Sequence, residues 1–185
     1  LWDFSVKSDK VSVLPDAWEE EQIKVPSPYN INSFAGPREK KIRGDAYRVY
    51  GGDFRLYPEY PEGWESLTCG FYRRKVFVPL ESVGKRLFLR FDGLSYHSAV
   101  YVNGRLAVED MEGFLPVETE ITSLVRFGEA NEITVGAEKA KHLIYKDDAG
   151  RHRLDYPIGS FWGEHIGGIW QDVWLIERPE TYVAD

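Results

Sequence analysis

The sequence predicts an all-β fold, a two-sheet antiparallel β-sandwich with a jelly-roll arrangement of its strands. Three observations favour it. About nine to eleven short segments are rich in β-branched and aromatic residues, turn residues separate them, and no apolar pattern keeps a helical period. With 185 residues, the chain is long enough to bury one sizeable core. We therefore expect residues 1–185 to form a single sandwich domain.

The first third of the chain contains two predicted strands and a long irregular insertion. Residues 1–6 alternate apolar and polar side chains, and residues 22–25 form a short strand that Pro26 ends. Residues 33–64 or so have no sustained period, and a loop of that size is often functional. Its aromatic residues can line a site or pin the loop to the body of the domain, and we favour pinning. They are Tyr47, Tyr50, Phe54, Tyr57, Tyr60 and Trp64.

From residue 70 onwards the pattern becomes regular. The clearest signal is a hairpin, because Asn103-Gly104 stands between two alternating apolar runs and favours a two-residue turn. Residues 122–125 are expected to form one helical turn, and residues 141–156 a strand or an excursion out of the sheet. The other predicted strands span residues 70–79, 85–93, 114–121, 131–137 and 171–177.

Composition and charge argue against several classes of protein. The net charge is −7, from 23 basic and 30 acidic side chains, and no basic run is interleaved with aromatic residues. We therefore expect no nucleic-acid partner. No apolar run approaches the ~20 residues of a membrane span. Cys69 is the single cysteine, so an intrachain disulfide is excluded. The chain begins at Leu1 without a signal segment, which leads us to expect an excised piece of a longer protein.

The candidate site lies at a glycine pair that precedes the last long strand. Gly167-Gly168 permits positive φ angles and close backbone approach, and residues 171–177 follow as a strand. Trp162, Glu164 and His165 stand on the incoming loop. A glycine bend that feeds a strand is one way to place aromatic and polar groups at the rim of a sandwich. Packing of Trp162 on the glycines and pairing of Glu164 with an arginine remain equally open.

Acidic side chains are the alternative source of chemistry. Glu118 and Glu120 are spaced to share one face of a strand, and Glu109, Asp110 and Glu112 form a second cluster. Closely spaced acids along a strand are what a self-sufficient jelly-roll hydrolase would use. Because turn residues flank both clusters, we favour solvated surface for each of them.

Metal binding has little support in the sequence. His97, His142 and His152 are scattered without metal-ligand spacing, so we expect no zinc site. Asp147, Asp148 and Asp155 are possible ligands of a structural calcium ion, but the signal is weak. We therefore expect no cofactor.

Six segments, taken together and in order, resemble the amino-terminal domain of glycoside hydrolase family 2, the family of β-galactosidases, β-glucuronidases and β-mannosidases. The resemblance covers the whole chain except parts of residues 33–64 and 143–156, which look like insertions. The six segments are LWDF at 1–4, IKVPSPYN at 23–30, GFYRRKVFVP at 70–79, KRLFLRFDGLSYHSAVYVNG at 85–104, EITSL with GEANEITV at 120–135, and GGIWQDVWL at 167–175.

This resemblance implies a galactose-binding-domain-like jelly roll that binds sugar and is not catalytic. In the family, an immunoglobulin-like domain and a barrel follow this domain. The barrel carries the two carboxylic acids that retaining hydrolysis needs, about 5–5.5 Å apart. An (α/β) barrel takes about 250 residues, so the resemblance implies no catalytic residue in this chain. We expect a bacterial parent enzyme that acts on a β-linked glycan, in the periplasm or outside the cell rather than in the cytoplasm.

One position departs from the family pattern. Some relatives carry an aspartate seven residues before the isoleucine of the glycine bend, and Trp162 stands there in this chain. An indole face suits the apolar C–H face of a pyranose, and the Glu164 carboxylate can accept hydrogen bonds from hydroxyl groups. Trp162, Glu164 and His165 are therefore the expected substrate-binding residues of the rim. An autonomous carbohydrate-binding module and a purely structural interface domain are the alternatives.

Overall fold

The computed structural model describes residues 1–30, 60–111, 113–139, 144–146, 149, 152–154 and 166–183. Within them the chain forms thirteen β-strands and two single-turn 3-10 helices, Trp64–Ser66 and Leu80–Ser82, so the all-β prediction is confirmed. The strands, in chain order, are β1 (Trp2–Ser5), β2 (Gln22–Ile23), β3 (Cys69–Val78), β4 (Arg86–Phe91), β5 (Leu94–Ser95), β6 (His97–Val102), β7 (Arg105–Asp110), β8 (Val117–Glu120), β9 (Glu129–Glu138), β10 (Ile144–Lys146), β11 (His152–Leu154), β12 (Gly168–Ile169) and β13 (Val173–Arg178).

The strands build two main layers. A six-stranded antiparallel sheet has the order β2-β1-β3-β9-β6-β7, and a three-stranded sheet has the order β13-β4-β8. β5 and β12 form a separate short pair, as do β10 and β11. Because β3 pairs with β9, and β13 with β4, residues far apart in sequence lie side by side. The two-sheet sandwich predicted from the sequence is therefore confirmed.

The core lies between the two main sheets. Leu87, Leu89 and Phe91 point inward from β4 with at most 3% of their surface exposed, as strand alternation predicts. They join one apolar cluster with Val100 of β6 and Val135 of β9. A smaller cluster covers the other face of the six-stranded sheet, where the segment that follows β1 packs on it. The six-stranded sheet is therefore buried on parts of both faces.

Most predicted elements form close to their predicted bounds, with two corrections. The strand predicted at 114–121 begins only at Val117, because residues 113–115 form a bend and Pro116 has no N–H to donate to a strand ladder. The strand predicted at 171–177 runs instead from Val173 to Arg178, because the N–H groups of Trp170 and Gln171 both donate to the Gly93 carbonyl, which is not a regular ladder. Residues 122–124 form a turn, as expected for a single turn after β8.

Two aromatic residues of the irregular segment pack on the body of the domain. Trp64 lies 4.3 Å from Phe4 and 5.2 Å from Tyr60 between ring centroids, and both Trp64 and Tyr60 are buried. Pinning is therefore the right interpretation for these two. Tyr47, Tyr50, Phe54 and Tyr57 lie outside the described residues.

Candidate functional site

The glycine bend, which we name the elbow (residues 167–169), is held on both sides by backbone hydrogen bonds. On one side β12 pairs antiparallel with β5. On the other, the Ser27 N–H donates to the Ile169 carbonyl at 2.8 Å, and the Tyr29 N–H donates to the Gly167 carbonyl at 3.0 Å. The Gly167 N–H donates to Asn30 Oδ1 at 2.9 Å, in a buried position. The elbow therefore has a fixed place at the end of the sandwich.

Both glycines are required by what surrounds them. Gly168 has a φ of +106°, a backbone conformation that side chains rarely adopt, and a Cβ there would overlap the hydroxyl of Tyr72. A Cβ at Gly167 would lie 2.5 Å from the Oη of Tyr29. The close backbone approach predicted from the glycine pair is thus confirmed, and two tyrosines occupy the space that side chains would need.

These two tyrosines connect the elbow to the six-stranded sheet. The Tyr29 hydroxyl donates to the Thr68 carbonyl at 3.3 Å, and the Tyr72 hydroxyl donates to the Ser27 carbonyl at 3.4 Å. Burial raises the pKa of both phenols well above their ordinary value of 10. Both groups therefore remain neutral hydrogen-bond donors at any physiological pH.

A buried cation lies beside the elbow. Lys139 follows β9 and is 6% exposed, and its backbone N–H donates to the Thr68 carbonyl at 2.9 Å. Its Nζ lies 5.5 Å from the ring centroid of Tyr29, within the range of a cation–π interaction. Burial of one lysine in the run EKAKH leaves no local signal, so this lysine was not among the residues predicted for the site. Only the pairing of distant segments brings it to the elbow.

Aromatic rings continue from the elbow onto the surface. Trp170 donates from Nε1 to the Gly113 carbonyl at 3.3 Å, and its ring meets Phe114 at 6.3 Å between centroids. Phe114 in turn meets Tyr96 edge-on at 6.1 Å. We name Tyr96, Phe114 and Trp170 the aromatic row. Phe114 is 49% exposed, so the row presents an apolar ring to whatever approaches this end of the domain.

The family model described as "Glycosyl hydrolases family 2, sugar binding domain" matches residues 1–179. The chain belongs to this family. It is 33% identical over 155 residues to a β-glucuronidase of Bacteroides fragilis, an alignment that covers 78% of this chain and 19% of that relative. A β-galactosidase of Thermoanaerobacter pseudethanolicus is 29% identical over 116 residues, which cover 62% of this chain and 14% of the relative. The chain therefore spans less than a fifth of each of these two relatives.

Solved structures share the fold of this family 2 sugar-binding domain. The β-D-glucuronidase of Dictyoglomus thermophilum superposes with a TM-score of 0.59 at 24% identity, over 100% of this chain and 28% of that one. A β-glucuronidase of Bacteroides uniformis superposes with a TM-score of 0.61 at 21% identity, over 96% and 17%. At these identities the likeness supports the sandwich fold and nothing finer.

In this family 2 domain, the first acidic pair faces outward and is neutralised by arginines. Glu118 Oε1 lies 2.7 Å from Arg178 Nη1, and Glu120 accepts hydrogen bonds from Arg86. The hydrogen bond from Arg86 lowers the pKa of the Glu120 carboxyl, against a weaker opposite effect of burial. The expectation of surface acids therefore holds for this pair, which forms ion pairs on the outer face of the three-stranded sheet.

The second acidic cluster is divided between different surroundings. Glu109 lies 2.7 Å from a ring nitrogen of His97, at the edge of the six-stranded sheet. Asp110 is opposite Ser98 in the ladder between β6 and β7. Glu112 lies outside the described residues. The described members of this cluster therefore do not face each other across a cleft.

The three predicted rim residues, Trp162, Glu164 and His165, lie outside the described residues. So do the possible calcium ligands Asp147, Asp148 and Asp155. In the part of the chain that the structure describes, no three His, Cys, Asp or Glu side chains are arranged to hold a metal ion. No helix in that part is long and apolar enough to cross a membrane.

Proposed function

We propose that this chain is the amino-terminal sugar-binding domain of a larger family 2 glycoside hydrolase, without catalytic residues of its own, and that it forms one wall of the substrate cleft. The observation that carries the proposal is the elbow. Its backbone is bonded on both sides, and a buried lysine and an exposed aromatic row lie next to it. A wall for a sugar needs such a fixed polar and apolar edge.

The state of the acidic side chains supports catalysis by another part of the parent enzyme. A retaining glycosidase needs one carboxyl group whose pKa is raised, so that it can donate a proton to the leaving group. The pKa of Glu120 is lowered instead, and Glu118 is bound to Arg178. We propose that both reactive acids belong to a barrel downstream. ¹H NMR of the full-length enzyme tests the retaining mechanism, since the β-anomer must appear first.

The partners that we propose are an immunoglobulin-like domain and this barrel, within one polypeptide. Support comes from the chain's match to only 19% of a β-glucuronidase and 14% of a β-galactosidase. Because these two relatives are a β-glucuronidase and a β-galactosidase, β-D-glucuronides and β-D-galactosides are the first substrates to test with the full-length enzyme. Sequencing the gene beyond Asp185 tests the domain order directly.

Trp162, Glu164 and His165 are our proposed contacts to the sugar. The support is their place in the sequence, two to five residues before the fixed elbow, together with the chemistry of an indole and a carboxylate toward a pyranose. We expect Trp162→Ala in the full-length enzyme to raise KM or lower kcat/KM without a loss of stability.

Trp174→Ala is the matched control for this experiment. Trp174 is 51% exposed on β13, and its Nε1 donates to Asp92 on the outer face of the three-stranded sheet, so its loss should leave the kinetics unchanged. If Trp162→Ala also left KM and kcat unchanged and lowered only stability, the domain would be a purely structural interface.

Titration calorimetry of the 185-residue chain separates this proposal from an autonomous carbohydrate-binding module. A wall that needs the barrel opposite it should give little or no heat with β-glucuronide, β-galactoside and oligosaccharide ligands. Saturable binding by the isolated chain would support the autonomous module, and turnover would show that it has catalytic acids of its own.

A further inference from the structure

His97 contacts a carboxylate with each of its two ring nitrogens. Its Nδ1 lies 3.1 Å from Glu138 Oε2, and its Nε2 lies 2.7 Å from Glu109 Oε1. His97 begins β6, Glu138 ends β9 and Glu109 lies in β7, so one side chain connects three neighbouring strands. We name this arrangement the His97 bridge.

The number of protons on the ring decides whether the bridge is complete. An ionised carboxylate only accepts hydrogen bonds, and a neutral imidazole has one N–H and one lone pair. Two contacts to two ionised carboxylates therefore require the imidazolium form, which donates from both nitrogens. When the ring loses a proton, one nitrogen lone pair faces a carboxylate oxygen and that contact becomes repulsive.

Exposure indicates which contact opens. The side chains of His97 and Glu138 are 14% and 15% exposed, whereas that of Glu109 is 45% exposed. Water can hydrate Glu109 at little cost, because β7 is an outer strand of the six-stranded sheet. Glu138 is tied more firmly, since its carbonyl oxygen also accepts a hydrogen bond from the Tyr96 N–H. The neutral ring should therefore keep Glu138 and release Glu109.

Other titratable groups near the bridge do not replace it. Cys69 of β3 lies opposite Glu138 in the sheet. Burial and Glu138 raise the pKa of the Cys69 thiol, and Asp9 of the segment after β1 adds a smaller effect in the same direction. Tyr101 lies on the same strand as His97, and burial, followed by the nearby Glu109 and Cys69, raises the pKa of its phenol. Asp110 neighbours Glu109, and Lys139 follows Glu138 at the elbow. Among the described residues, the titratable groups in direct contact with the ring are the carboxylates of Glu138 and Glu109.

We propose that the His97 bridge is a pH-dependent clasp that holds the edge strand β7, and the turn after it, against the sheet when His97 is protonated and releases them as the ring becomes neutral. That turn contains Gly113, whose carbonyl accepts the Trp170 Nε1 hydrogen bond, and Phe114 of the aromatic row. The clasp therefore acts on the end of the domain that carries the candidate site. It does not depend on the proposed function.

The direction of the pH dependence follows from the contacts. The hydrogen bond with Glu138 raises the pKa of His97 above its ordinary 6.5; burial opposes this, and Glu109 adds to it. The folded state thus holds the proton more tightly than the unfolded chain. Stabilisation by the clasp is complete below pH 6.5 and disappears as the pH rises through the folded-state pKa.

Two NMR measurements on the 185-residue chain test the clasp. Long-range ¹H–¹⁵N spectra follow the ring of His97, identified by its loss in His97→Gln, and we expect it to titrate above 6.5. Amide exchange at residues 107–110, corrected for intrinsic rates, should be faster at about pH 8.5 than at about pH 5.5. The expected ratio is about tenfold for each pKa unit above the ordinary value.

His97→Gln and Glu109→Gln separate the clasp from general pH effects. In His97→Gln, the corrected exchange rates should no longer depend on pH, since glutamine does not titrate. In Glu109→Gln, the His97 pKa should fall toward 6.5 while the Glu138 contact remains. Titration of wild-type His97 at or below 6.5, or equal protection of β7 at both pH values, would overturn the proposal. The amide protection of wild-type β7 needs no variant, so this measurement still decides the proposal if a variant fails to fold.

Discussion

Replacing Gly168 with alanine tests whether the tyrosine hydroxyls set the shape of the elbow. The added Cβ has two separate costs. It forces an alanine to a φ of +106°, and it overlaps Tyr72 Oη while lying 2.9 Å from Tyr72 Cζ and 3.1 Å from Tyr29 Cδ1. Neither ring can retreat easily, since Tyr29 and Tyr72 are both fully buried.

The magnitude follows from these two costs. A left-handed backbone conformation costs a residue with a Cβ roughly 1–2 kcal/mol. Inserting a methyl group into a packed core costs about 1–3 kcal/mol more. We therefore expect Gly168→Ala to lower the free energy of unfolding by about 2–5 kcal/mol, a large part of the roughly 5–15 kcal/mol that holds a typical domain.

Urea unfolding of the 185-residue chain, followed by tryptophan fluorescence, measures this loss. Gly84→Ala is the matched control, because Gly84 has a φ of +84° and a Cβ there meets nothing within 4 Å. It should show the backbone cost alone, about 1–2 kcal/mol. Combining Gly168→Ala with Tyr72→Phe removes the overlapping oxygen, so the double variant should lose about 1–3 kcal/mol less than the sum of the two single changes.

Two results would refute the reasoning. Equal losses for Gly168→Ala and Gly84→Ala would mean that the elbow has free space, so the tyrosines do not define it. Additive losses in the double variant would mean that the Tyr72 hydroxyl is not the group that excludes a side chain at Gly168.

Three further predictions concern the core, the thiol and the hairpin. Trp64→Ala should cost about 3–5 kcal/mol in urea unfolding, because Trp64 is buried between Phe4 and Tyr60; a loss below about 1 kcal/mol would contradict this packing. Burial, reinforced by Glu138, raises the pKa of the Cys69 thiol to about 12, so a thiol reagent should label it only after unfolding, and labelling at the rate of a free thiol would count against its burial. Asn103→Ala should lower the free energy of unfolding by about 2–4 kcal/mol, because it removes the side-chain hydrogen bonds to Leu124 and Glu132 and forces an alanine to a φ of 51°. Asn103→Gly loses the same hydrogen bonds but adopts this φ freely, so it should lose less stability than Asn103→Ala. Equal losses for the two variants would exclude a backbone cost at this position.

The fold was predictable because its signals are local. Leu87, Leu89 and Phe91 point into the core as predicted, and the residues between them point to the outer face of the sheet. The Asn103-Gly104 turn forms with positive φ at both residues, which is what that dipeptide favours between strands. Strand starts were less predictable, because the bend at 113–115 depends on contacts of Phe114 with distant rings.

The candidate site was only half predictable for the same physical reason. The glycine pair marks the elbow in the sequence, but its partners come from elsewhere in the chain. Asn30, whose side chain accepts a hydrogen bond from the Gly167 N–H, is 137 positions away. Lys139 is buried beside Tyr29 and Thr68, which are also distant in the sequence. Phe88 shows the reverse case, an aromatic residue on the outer face that is buried because Arg178 and Tyr182 cover it.

The forces that hold the elbow differ from those on the outer face of the domain. Neutral hydrogen bonds and packing around Tyr29 and Tyr72 fix the elbow, and neither salt nor pH changes near neutrality weakens such contacts. The arginine–carboxylate pairs lie on the outer face of the three-stranded sheet, where they are partly exposed to solvent and salt screens their attraction. Changes in ionic strength should therefore alter the outer face without moving the elbow. The His97 bridge is different, because it couples a titrating group to the turn beside the elbow.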